Sequence, residues 1–224
     1  MAPGPGPGRV RYLATASSPE VRELMSAGVL DCMTTPAQSV RIPARAHYAC
    51  DNGRFGAGWP GEERWWTWLT GTVGRYGPDR CRFAVAPDHP MDAVATLAAS
   101  LPWLPRIRAL GVPAAFVAQD HCEQGDLIPW DDLDMLFLGG STAWKTGPAA
   151  RRVTEMATAR GKAVHMGRVN SGRRLRLAHS FGCSSADGTC LAYGPRTVLP
   201  RLLGWLASID PPDATQHPSR PALF

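Results

Sequence analysis

The chain has no uninterrupted apolar run near the roughly 20 residues that a membrane-spanning helix needs. Its first residues, MAPGPGPGRVRYLAT, contain nothing like the apolar core of a secretory signal. A soluble, cytoplasmic protein with no membrane partner is therefore expected. No G-x-G-x-x-G or G-x-x-x-x-G-K-S/T follows a strand-like run, which removes the main support for a dinucleotide-binding fold or a P-loop. G-x-S-x-G is absent too, so a serine hydrolase built on a nucleophile elbow is disfavoured. The six cysteines (32, 50, 81, 122, 183 and 190) lack the rhythm of a disulfide scaffold, and a chain of this size needs no staples; free thiols are expected.

Acidic residues are scarce in one quarter of the chain. Residues 151–176 hold eight basic residues against one acidic, Glu155, so this segment carries +7 of a net +5 and the remainder sums to −2. A solvated helix face explains many such runs. Here the run surrounds a glycine turn, and the reading tilts toward phosphate contact. Residues 163–166 (AVHM) read as a buried strand, Gly167 opens a turn, and a helix follows from about Ser171 to Phe181. Such a turn offers backbone N–H groups together with Gly167, Arg168, Asn170 and Arg173 to an anion. Asp187 follows at the end of the next strand.

The 224 residues, 44% of them hydrophobic, suffice for one substantial core and stand near the lower limit for an eight-stranded barrel. Residues 1–9 and 210–224 read as disordered tails flanking one domain at 10–209. Strand-like runs at 10–14, 29–33, 47–50, 82–86, 114–118, 133–138, 163–166 and before Asp187 alternate with helical patterns. Those patterns begin at Pro19 behind Ser18, at Glu62 (ERWWTWLTGTV), over 91–110 with a proline interruption near Pro102 and Pro105, over 148–160, and over 197–208. Alternation of this kind gives a parallel sheet, and the number of strands favours a compact (β/α)8 barrel of the TIM type over an open doubly wound sheet.

Asp51, Asp88, Gln119, Gly139-Gly140, Gly167-Arg168 and Asp187 all fall just past a strand's C-terminal end, where a barrel gathers its chemistry. Each has a plain explanation as well. Asp51-Asn52-Gly53 is a good turn, Asp88 could cap the helix near Met91, Gln119 could satisfy loop backbone, and the glycines could permit a tight turn.

In order, D-N-G-R-F (51–55), A-P-D (86–88), V-A-Q (117–119), L-G-G-S (138–141), H-M-G-R-V (165–169) and S-A-D-G-T (185–189) resemble the tRNA-guanine transglycosylases. The resemblance covers residues 10–206 and is closer to their DNA-modifying relatives, the 7-deazaguanine transglycosylases of phages and bacterial genomic islands. It implies that Asp187 is a nucleophile attacking C1′ of a guanosine nucleotide and that Asp51 is the acid/base. It further implies that Asp88, Gln119 and the Gly139-Gly140 backbone bind the base, while Gly167, Arg168 and Asn170 hold an adjacent phosphate. The partners implied are DNA with a single-stranded or flipped guanine and a free 7-deazaguanine such as 7-cyano-7-deazaguanine (preQ0), with a helicase or ATPase as candidate for opening a duplex. No cofactor is implied. The tRNA enzymes carry a zinc subdomain, C-x-C-x-x-C and a distant His, beyond the nucleophile; only 37 residues follow Asp187 here, without that set. His179, Cys183 and Cys190 fit no zinc spacing, and buried thiols are the better reading. The alternatives are a tRNA-guanine transglycosylase, a base-removing glycosylase, and a non-catalytic nucleic-acid-binding barrel whose aspartates merely cap helices.

Overall fold

The computed structural model describes residues 10–38 and 41–209. The tails expected at residues 1–9 and 210–224 lie outside the described residues. Eight strands alternate with helices: β1 (Arg11–Ala14), β2 (Asp31–Thr34), β3 (Tyr48–Cys50), β4 (Cys81–Val85), β5 (Ala114–Ala118), β6 (Met135–Leu138), β7 (Ala163–Met166) and β8 (Ser185–Asp187). Each pairs in parallel with its sequence neighbours, and β8 closes on β1 with Arg11 opposite Ser185 and Leu13 opposite Asp187. That last ladder makes a closed (β/α)8 barrel and rules out the open doubly wound sheet. No zinc subdomain is present among the described residues.

The helices are α1 (Pro19–Ser26), α2 (Glu62–Tyr76), α3 (Ala93–Ser100), α4 (Leu104–Arg108), α5 (Thr142–Lys145), α6 (Pro148–Ala159), α7 (Gly172–Phe181) and α8 (Pro195–Ile209). Ser18 caps α1 through the Val21 N–H, with Pro19 preset for the first turn. Spacing by four along α2 buries Trp65, Leu69 and Val73 against the barrel. Trp65 meets Trp103 edge-on at 5.1 Å, and the Arg106 guanidinium lies 4.1 Å over the Trp103 ring. The single interrupted helix expected over 91–110 is two helices, because Pro102 and Pro105 lack the N–H donors that would carry one helix through. The strand expected from 133 begins at Met135, and the four-residue α5 was not expected, being too short to show a period.

Strand alternation sends one set of side chains to the helix layer and the other to the barrel axis. The axis is filled by Leu13, Met33, Ala49, Phe83, Val85, Ala115, Val117, Met135 and Phe137. Continuing that inward phase two residues past Ala49, Val117 and Phe137 reaches Asp51, Gln119 and Gly139. On β7 and β8 it runs from His165 to Gly167 and from Ser185 to Asp187. The packing that builds the core therefore also selects which residues face the mouth.

Candidate active site

A cleft at the C-terminal mouth is lined by Asp51, Asn52, Phe55, Asp88, Gln119, Gly139, Gly140, Arg168 and Asp187, over a floor of Val85, Val117 and Phe137. After β3, Asp51 Oδ1 accepts the Gly53 N–H at 2.7 Å and Asn52 Oδ1 accepts the Arg54 N–H at 2.8 Å. The turn expected from the sequence is real, and the same Asp51 faces the cleft. Burial, helped by the charges of Asp187 and Asp88, pushes the Asp51 carboxyl up to about 7, against the pull of the Gly53 N–H.

Asp88 is held by two amides. Asn52 Nδ2 donates to its Oδ1 at 2.8 Å and to Ala86 O at 2.7 Å, while Gln119 Nε2 donates to its Oδ2 at 2.6 Å. Burial raises the Asp88 carboxyl above its ordinary range, and the Asn52 donor opposes the rise. Gln119 Oε1 accepts the Met91 and Gly140 N–H groups, so Gln119 does satisfy loop backbone, while its Nε2 retains a second proton. The helix N-caps with side-chain bonds are Ser18, Asp92, Ser141 and Ser171; Asp51, Asp88 and Asp187 cap none of the described helices.

Asp187 Oδ1 accepts the Arg168 N–H at 3.2 Å and lies 3.0 Å from His165 Nε2, while the Val169 N–H donates to the Asp187 carbonyl. His165 is wholly buried between Phe83 and Phe137, with Nδ1 2.8 Å from Ser185 Oγ. Arg168 adopts a left-handed φ of 59°, a conformation costly for a residue with a side chain. Its guanidinium donates to the Gly139 and Gly140 carbonyls and lies 3.7 Å over the Phe55 ring. Phe55 is 60% exposed, an aromatic edge on the cleft. Lys145 of α5 is buried, and its Nζ donates to Gly167 O at 2.6 Å. Burial, with the Arg168 charge adding to it, brings its pKa down to about 7.

Three expectations need correction. The Gly167 turn does not hold its N–H groups open for a phosphate: Gly167 donates to Leu138 O, Arg168 to the Asp187 carboxylate and Val169 to the Asp187 carbonyl. The anion gripped by this turn is Asp187. The Gly139 and Gly140 N–H groups are likewise committed, to Ala118 O and Gln119 Oε1, so a base could reach them only by displacing those bonds. The expected phosphate grip is also split. Arg168 stands in the cleft, whereas Asn170 and Arg173 line a separate groove with Ser171, Arg174, Arg176, Thr142 and Thr146.

His165, Lys145, Asn52 and Phe55 were not singled out from sequence. Phe55 could have been, as an aromatic in a glycine-rich loop; a histidine inside a buried strand and a lysine in an unpredicted turn leave no such signal. His179, Cys183 and Cys190 do not converge, and no group of three or more His, Cys, Asp or Glu side chains among the described residues is arranged to hold a metal. Cys183 is buried, its thiol pushed up to about 12, and Cys190 Sγ lies 3.3 Å from the Tyr12 hydroxyl. The described cysteines are all free. Beside Asp187, a Cβ on Gly188 would fall 2.3 Å from the Tyr12 hydroxyl, 2.4 Å from Asn170 Oδ1 and 2.6 Å from Val169 O, so only glycine fits.

No family model and no curated protein matches the chain. Solved structures do resemble it. An enolase protein from Sargasso Sea environmental sequencing aligns with TM-score 0.51 at 13% identity, over 83% of this chain and 56% of its own. The chain thus spans just over half the length of that enolase. A tryptophan synthase from M. tuberculosis gives TM-score 0.52 at 12% identity over 90% and 91%, and a tryptophan synthase alpha-subunit from Pyrococcus furiosus gives 0.54 at 10% over 89% and 96%. No helix among the described residues is long and apolar enough to cross a membrane. At 10–13% identity, these likenesses establish the chain as a (β/α)8 barrel of the kind on which those enzymes are built, and establish the fold alone.

Proposed function

We propose that this chain is a DNA-guanine transglycosylase, exchanging guanine for a 7-deazaguanine base through a covalent aspartyl-glycosyl intermediate. The observation that carries the reading is the presence of Asp187, Asp51 and Asp88 in one cleft, in three different chemical settings. Asp88 is fixed by two amides and presents acceptors that suit the N1–H and N2–H donors of guanine. Gln119 keeps one amide proton for the O6 side. Phe55 offers a face on which an extruded base can stack.

Asp187 attacks C1′; the bond from C1′ to N9 breaks, its electron pair leaves with the base, and Asp51 gives the departing guanine a proton. Asp51, now a carboxylate, takes the N9 proton of the incoming 7-deazaguanine. That nitrogen then attacks C1′ and releases Asp187, so both bonds and protons are restored. A carboxyl poised near 7 suits both halves of this cycle. The groove of Arg173, Arg174 and Arg176 beside the mouth supports a polyanionic substrate.

The test is incubation with guanine-containing DNA and with tRNA in the presence of labelled 7-deazaguanine bases, 7-cyano-7-deazaguanine among them. Label is expected in DNA and lost with Asp187→Ala. Label in tRNA alone would move the activity to the tRNA branch, and guanine release without incorporation would make the protein a base-removing glycosylase. No label in either polymer, and no guanine release, would overturn the reading.

A further inference from the structure

We infer that His165 is a positioning residue that pins Oδ1 of Asp187 and leaves Oδ2 as the oxygen that attacks the sugar. The inference rests on the reading of Asp187 as nucleophile and adds to it the atom and its support. His165 lies on the barrel axis, wholly buried, with ring centroids 4.5 Å from Phe137 and 5.0 Å from Phe83. Those rings fix the imidazole plane. Its two nitrogens meet two different partners, Ser185 Oγ at 2.8 Å and Asp187 Oδ1 at 3.0 Å.

Among the described residues Ser185 Oγ has no hydrogen-bond partner other than His165. Its hydroxyl proton is therefore directed at Nδ1, which must supply the lone pair, and the ring proton resides on Nε2. Nε2–H then donates to Asp187 Oδ1. The Arg168 N–H is a second donor to the same oxygen. Both side-chain bonds of Asp187 thus fall on Oδ1, and no described donor engages Oδ2. Two donors fixing one oxygen set the carboxylate plane and leave the other oxygen's lone pair uncommitted, a near-attack arrangement obtained before substrate binds. In the intermediate, Oδ2 carries the single bond to C1′ and Oδ1 becomes the ester carbonyl. The same two donors stay on it, and when the bond to Oδ2 breaks they receive the returning charge.

Nitrogen-15 NMR of the whole protein labelled at histidine reads this arrangement without requiring activity, with His165→Gln assigning the resonance. The expected result is a His165 ring protonated at Nε2 and bare at Nδ1, its N–H exchanging slowly. A ring bare at Nε2 would overturn the inference. Trapping of a covalent adduct with guanine-containing single-stranded DNA supplies the second readout. His165→Leu is expected to slow adduct formation about 10- to 100-fold, the effect of losing one hydrogen bond to a charged group. His165→Gln, which can still place an N–H on Oδ1, should stay within a few-fold of the parent; Leu and Gln equally fast would overturn the inference. Should the Leu variant fail to fold, Ser185→Ala serves: the Nε2–H preference should weaken, and an unchanged spectrum would count against the Ser185 contact. Absence of any adduct in the unaltered protein would sink the base-exchange reading, whereas the nitrogen spectrum would still decide how Asp187 is held.

Discussion

Gln119 and Asp88 share a hydrogen bond of 2.6 Å across the cleft wall, so the carboxylate loop after β4 is oriented by an amide at the end of β5. With Asn52 on the other oxygen, Asp88 can present only acceptors to a ligand. Asp88→Asn puts an amide group in place of one of the two oxygens, against the donor that points at it. It should reduce adduct formation with guanine about 100-fold, in the range found when a buried polar match is lost, with DNA affinity little changed. Single-turnover trapping beside fluorescence anisotropy of labelled DNA separates the two.

The Asp51 carboxyl carries a pH signature. In the proposed exchange the departing guanine takes its proton from this group, so adduct formation should fall as pH rises through about 7. Stability follows the same group: its folded value lies above the ordinary 3.8, so the native state binds the extra proton, and stability declines from about pH 4 to pH 7 and is flat above. Asp51→Asn should abolish exchange while stabilising the fold at pH 8 by on the order of a few kcal/mol, and by less at pH 5. Urea titrations at both pH values would show no such difference if Asp51 were an ordinary surface carboxylate.

Lys145 gives the opposite slope. Its pKa is held near 7 in the fold, below the ordinary 10.5, so the unfolded chain binds the extra proton between those values and stability should rise from pH 7 toward pH 9. Subtracting the same curve for Lys145→Met isolates this contribution. The Met variant should also lose the hold on Gly167 O and slow adduct formation, because the turn bearing Arg168 loses one of its supports.

Phe55→Ala should raise the DNA concentration needed for half-maximal adduct formation by roughly 10-fold, from the one to three kcal/mol that a base–aromatic stack supplies. Its effect on the maximal rate should be small, since Phe55 makes no described bond to Asp187 or Asp51. A loss confined to the maximal rate would mean that the ring shapes the site and does not stack the base.

Along the groove, Arg173→Ala with Arg176→Ala should weaken binding to all DNA sequences alike. Each lost phosphate contact lowers the slope of log affinity against log salt by about one. An unchanged slope would make this an ordinary solvated helix face.

Much of this site was readable because a barrel imposes one rule on every strand: the side chain two places past the last inward core residue reaches the mouth. Asp51 and Gln119 obey it and stand out as polar residues ending apolar runs, and Asp187 lies two places past the inward-facing Ser185. His165 obeys the same alternation, yet inside a strand it reads as core, and its meaning depends on Ser185, 20 residues away, and on Asp187. Lys145 was hidden because α5 is a single turn whose role comes from what it touches. The committed N–H groups of the Gly167 turn were also beyond the sequence, since an N–H offered to an anion and one already holding a neighbouring carboxylate look alike until the strands are closed.

Gly188 bears on how such a protein can change over generations. Phe55 meets the cleft with an exposed ring that another side chain could replace, so what the cleft offers to a ligand there can change by one substitution. Position 188 offers no such freedom, because Tyr12, Val169 and Asn170 already occupy the space that any side chain would enter. Substitution at Phe55 can therefore alter the cleft while the residue after Asp187 stays glycine.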